Sequence, residues 1–152
     1  MSDKYFTFTE RPTPLYPSYR PMFRVAQILM ILNYNGFGGK ASLLKLHLFS
    51  WALKSTKNME ELKSFVVTNY KTRLRFFGIE STLNRALNLA YAEGLIGFSN
   101  GIYSLKEKGA QFLKEIDDDE ELFSEEKQYL KFIGKKIPEK IIKELVNLWK
   151  HA

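Results

Sequence analysis

The chain has 152 residues, no cysteine, 45% hydrophobic and 14% aromatic residues, and a formal charge of +6. Such a composition supports one packed domain with appended ends and argues against disorder. Without cysteine, disulfides, thiolate zinc sites and cysteine nucleophiles are excluded together, and a cytoplasmic setting is the expected one.

Residues 1–21 read as an extended arm. Tyr5-Phe6-Thr7-Phe8-Thr9 alternates aromatic and β-branched residues, a strand pattern. Pro12, Pro14, Pro17 and Pro21 then fix φ and forbid helix. Phe6, Phe8, Leu15, Tyr16 and Tyr19 give the arm an apolar surface that needs cover, from its own domain or from a partner.

A core helix is expected from Pro21, since proline is tolerated in a first helical turn, with Phe23, Ala26, Ile28, Leu29, Ile31 and Leu32 at helical spacing. The glycines of Asn33–Gly39 end it. Lys40–Ser55 reads as a second helix, apolar on more than one side, and Asn58–Tyr70 as a third. Glu80–Glu93 is a fourth. It runs into Glu93-Gly94-Leu95-Ile96, followed by a short strand, a Ser99-Asn100-Gly101 turn, a second strand Ile102–Leu105, and a helix opened by Lys108-Gly109. Helix, two-stranded hairpin, helix is the ending of a winged helix-turn-helix. The fold class expected is therefore mainly α with a small β-hairpin: an arm over 1–21, a winged-helix domain over 22–115 and a helical extension over 116–152. In the extension, Asp117–Glu121 is expected to start a helix through the macrodipole. Pro138 should start a last one, Glu139–Lys150.

Charge is unevenly placed. Residues 1–115 carry sixteen Lys and Arg against eight Asp and Glu, a net of +8, whereas residues 116–152 carry seven against nine, a net of −2. A basic body either meets an anionic partner or is a soluble surface with none.

Few residues suggest catalysis. His151 is penultimate, and His47 sits on the Leu-rich second helix, where packing explains it. Gly36-Phe-Gly-Gly-Lys40 lacks the P-loop pattern and reads as a turn. Consecutive acids on a helix point in different directions, so Asp117–Glu121 reads as a solvated run and not as a metal site. No catalytic residue, metal or cofactor is assigned.

Nucleic-acid contact is the stronger candidate. In a helix-turn-helix the second helix enters the major groove. Here that helix offers Asn84, Arg85 and Asn88, residue types that read bases. Lys71, Arg73 and Arg75 lie upstream as phosphate contacts, with Phe76 and Phe77 beside them as stacking or core residues. The wing tip, Ser99-Asn100-Gly101, has no cation, unlike a typical DNA-reading wing, and Glu80 would repel phosphate. Phe6, Phe8, Leu15, Tyr16, Tyr19 and Trp149 are the candidate partner contacts.

The block Arg20–Ser55, with Gly-Gly-Lys-Ala-Ser-Leu-Leu-Lys-Leu-His-Leu and Ser-Trp-Ala-Leu-Lys-Ser, resembles the middle component of bacterial three-component ABC-ATPase systems of the Lamassu antiphage defence type. The closing Ile137–Lys150 fits it too. The resemblance implies a non-catalytic subunit bridging an SMC-like coiled-coil ATPase to an effector, with DNA contact and a homodimer as further expectations and no membrane. The alternative is a free-standing winged-helix transcription regulator.

Overall fold

Residues 24–32 are buried without a break. A helix buried on every side needs neighbours on every side, and this one, α1 (Pro21–Asn35), packs against most other elements of the chain. The computed structural model describes residues 21–75 and 81–150. After α1 come β1 (Lys40–Ser42), α2 (Leu43–Ala52), α3 (Thr56–Val67), α4 (Ser81–Ala92), β2 (Ile96–Ser99), β3 (Ile102–Leu105), α5 (Glu107–Asp118), α6 (Ser124–Ile133) and α7 (Glu139–Lys150). The chain is mainly helical, with one small antiparallel sheet of strand order β1-β3-β2. The Phe6–Phe8 strand, the proline-rich arm and the Phe76-Phe77 pair lie outside the described residues.

The sheet has three strands where the sequence suggested two. Lys40, Ala41 and Ser42 pair with Ser104, Tyr103 and Ile102, so the helix expected from Lys40 begins only at Leu43. Two local causes set that boundary. Gly38 and Gly39 take positive φ (63° and 74°), and the Leu105 N–H donates to Gly39 O at 2.9 Å, extending the pairing. Ser42 is extended and its hydroxyl accepts the Lys45 N–H at 3.2 Å, an N-cap that fixes where the helix starts. At the other end of the sheet, Asn100 and Gly101 both have positive φ (52° and 79°), as a two-residue type I′ hairpin requires.

Helix α3 stops at Val67, short of Tyr70. Asn69 and Tyr70 adopt the left-handed conformation, and the Tyr70 N–H donates to Phe65 O at 2.7 Å. The Tyr70 ring packs on Phe65, and its hydroxyl donates to Lys136 O.

The acidic run ends a helix instead of starting one. Asp117 and Asp118 close α5, and the Asp119 carboxylate accepts the N–H groups of Glu121 (3.1 Å) and Leu122 (3.2 Å) in the following turn. Acids at a helix C-terminus oppose the macrodipole. The nearly buried Lys127 offsets this, since its ammonium donates to Ile116 O and Asp119 O, both at 2.7 Å. Helix α6 then starts at Ser124, after Phe123 at φ 56°.

Leu130, Ile133, Ile137, Ile141, Ile142 and Leu145 of the last two helices and their connection join the same buried cluster as α1. Polar ties reinforce the packing. The buried Asn35 amide donates to Leu130 O (3.0 Å) and Gly134 O (2.8 Å). The Tyr129 hydroxyl donates to Met59 O at 2.9 Å, and the Ser42 N–H donates to the Glu139 carboxylate at 2.9 Å.

Candidate nucleic-acid interface

Helix α4 buries Leu83, Ala86, Leu87 and Ala90 at three- and four-residue spacing. That stripe turns Ser81, Thr82, Arg85, Asn88 and Tyr91 outward. Among the six candidate contacts, Arg85 and Asn88 are therefore exposed on one helix face. Lys71 and Arg73 are exposed in the segment after α3.

The other two are already engaged within the chain. The Arg75 guanidinium donates to the Glu61 carboxylate through Nε at 2.9 Å and Nη2 at 2.5 Å, and the Arg75 N–H reaches the same carboxylate. Both guanidinium donors converge on Oε2 and the backbone N–H meets Oε1, a set of charge-assisted bonds that orients the arginine. It holds the Glu61 carboxyl below the usual range, while raising Arg75 further. Asn84 is half-buried, and its Oδ1 lies 3.2 Å from His47 Nε2. Its side chain joins α4 to α2, a structural tie.

His47 is 2% exposed. Burial pushes its pKa below the ordinary histidine value, nearby Arg24 adds to this, and the Asn84 hydrogen bond partly opposes it. The folded state therefore resists a proton that the unfolded chain accepts. Stability is retained above the ordinary histidine pKa of about 6.5 and is lost as pH falls below it. Urea unfolding across about pH 7 to 5 should show this slope, and His47→Gln, which retains a donor toward Asn84 but cannot titrate there, should flatten it. Equal slopes in the two proteins would exclude His47 as the cause.

The hairpin carries no cation at its tip and presents an aromatic pair. Phe98 and Tyr103 are cross-strand partners with ring centroids 4.6 Å apart, and Phe98 is 51% exposed. Sequence reasoning missed this pair. The signal was present, because counting outward from Asn100-Gly101 places residues 98 and 103 opposite each other. Tyr91, at the end of α4, is also largely exposed.

The glycine-rich turn holds a buried amine. Lys45 is fully buried, its Nζ lies 5.0 Å from the Phe37 ring centroid, and it has no hydrogen-bond partner. Burial lowers its pKa, opposed by Glu139. The N-terminus of α2, where an anion would sit, already meets the Glu139 carboxylate at Ser42.

Of the partner candidates, Phe6, Phe8, Leu15, Tyr16 and Tyr19 lie outside the described residues, as does the side chain of Trp149 on α7. Among the described residues, no cluster of His, Asp and Glu is placed to hold a metal, and no helix is long and apolar enough to cross a membrane. Comparison with protein-family models, curated proteins and solved structures gave no match.

Proposed function

We propose that this chain is a winged-helix interaction subunit that acts by binding, and that it bridges an SMC-like ABC ATPase to an effector in an antiviral defence complex. Support for the winged helix comes from the order helix, strand, helices, hairpin, with the first strand added beside the second hairpin strand. The exposed Phe98, ordered against the half-buried Tyr103 ring on a wing whose tip has no cation, carries the interaction reading. Aromatic side chains that are exposed and already ordered suit protein interfaces, where Tyr, Trp and Phe are enriched. DNA contact through α4 is the secondary part of the reading and rests on Arg85 and Asn88, with Lys71 and Arg73 as phosphate contacts.

The test is co-expression of the tagged chain with the products of neighbouring genes. Stoichiometric recovery of a long coiled-coil ATPase is expected, and Phe98→Glu should reduce it several-fold, as loss of an aromatic interface anchor does. Recovery of a soluble dimer alone, with duplex affinity lost in Arg85→Ala, would replace this reading by a free-standing regulator.

A further inference from the structure

The charge of the C-terminal extension is sorted along the chain. Seven of its nine acids fall within residues 117–126, whereas residues 127–143 hold six lysines and one carboxylate, Glu139. Glu139 is occupied at Ser42, and Lys127 is turned inward onto backbone carbonyls. The other five lysines are exposed.

Folding adds two more cations from far upstream. Lys63 of α3 places its Nζ 5.1 Å from the Phe132 ring centroid, and Lys136 places its own at 4.8 Å while donating to Phe132 O at 3.0 Å. The Tyr70–Lys136 hydrogen bond brings the exposed Lys71 to the same region. Phe132 is 45% exposed at the centre of this group. Helical spacing alone puts Phe132 in the apolar series of α6, yet it is not part of the core.

An exposed ring flanked by ammonium groups is a weak arrangement for stability, since surface cation–π contacts contribute little. It matches what single-stranded nucleic acid needs: a π face for a base and nearby cations for the phosphates on either side. Glu60 and Glu125 line the same groove between α3 and α6 as Lys63 and Phe132, so a bound strand would stack a base on the ring and keep its phosphates to the ammonium groups, away from these two carboxylates.

We propose that this face of α3 and α6 is a binding site for single-stranded nucleic acid, with a base stacked on Phe132 and neighbouring phosphates met by Lys63 and Lys136. The site is separate from α4 and the wing, so it stands or falls independently of the bridging role proposed above.

The experiment is fluorescence anisotropy of the full chain with a labelled oligothymidylate and with a duplex of equal length, over a series of salt concentrations. The single strand should bind more tightly than the duplex. Phe132→Ala should weaken it about tenfold, the loss of one stacked base. Lys63→Gln with Lys136→Gln should lower the slope of log affinity against log salt by about 1.4, two single-strand phosphate contacts. Arg85→Ala with Asn88→Ala, on α4, is the comparison variant, and Lys114→Gln, an exposed lysine of α5, should leave single-strand affinity unchanged. The proposal is overturned if the wild-type chain does not bind the single strand, or if folded Phe132→Ala binds as well as wild type. It is equally overturned if the α4 variant, and not the lysine variant, abolishes binding, or if polyglutamate competes as well as the oligonucleotide. Should Phe132→Ala fail to fold, the lysine pair, both exposed, decides alone.

Discussion

Gly109→Ala is expected to lower the thermal midpoint by roughly 5–10 °C, although alanine is the better helix former by about 1 kcal/mol. Gly109 is buried in the first turn of α5, and a Cβ there would meet Leu95 O at 2.2 Å and Leu105 Cδ1 at 3.0 Å. The carbonyl cannot step aside cheaply, because it also accepts the Lys106 N–H at 3.0 Å, the bond that closes the base of the hairpin. Helix α5 must therefore move off β2, pulling Leu113 and Ile116 from the core against α1. Overpacking of this kind costs about 1–3 kcal/mol and at times more, which outweighs the propensity gain. Ala110→Gly, one residue on and exposed, serves as the reference: it should cost only the propensity difference of about 1 kcal/mol. Thermal unfolding of both variants checks the argument. A Gly109→Ala midpoint at or above wild type would mean that the clash relaxes freely.

The same glycine shows where sequence reading succeeds and stops. Lys108-Gly109 marked the start of a helix, and Ser99-Asn100-Gly101 marked a turn, because both signals are local. Helices α1, α4 and α7 were likewise legible from apolar spacing. Strand β1 was not. Its three residues have no alternation worth reading, and what makes them a strand is β3, some sixty positions later in the chain. The acidic run misled for a related reason: acids favour a helix start, but Lys127, brought back from the next helix, neutralises a helix end.

At the candidate interface the residue types were legible and their commitments were not. Arg75 looks like a phosphate contact until Glu61, fourteen positions away, occupies its guanidinium. Asn84 looks like a base reader until His47, thirty-seven positions away, takes its side-chain oxygen. Phe132 is the opposite case: it shares the helical spacing of the apolar residues of α6, yet packing leaves it exposed. In each case a long-range contact decides whether a side chain is available, and no local pattern encodes that contact.

Asn35→Ala is expected to cost about 3 kcal/mol and to lower the thermal midpoint by roughly 10 °C. Asn35 ends α1 with no exposure, and its amide nitrogen serves two carbonyls, Leu130 O and Gly134 O, at the C-terminus of α6. Carbonyls at a helix end lack intrahelical partners. Leu130 O also receives the Gly134 N–H at 2.8 Å, so the loss falls most heavily on Gly134 O. A buried acceptor stripped of its donor costs about 1–3 kcal/mol, and the small void left by the amide adds to this. Asn35→Asp should be worse above the carboxylate pKa, since it sets an anion against two carbonyl oxygens with no donor. Its deficit should shrink as pH falls and the carboxyl gains a proton to donate. The pair of variants thus separates hydrogen bonding from volume. If Asn35→Ala unfolds within a degree of wild type, or Asn35→Asp shows no pH dependence beyond wild type, the amide is not what fastens α6 to α1, and apolar packing of Leu130 and Ile133 alone holds it there.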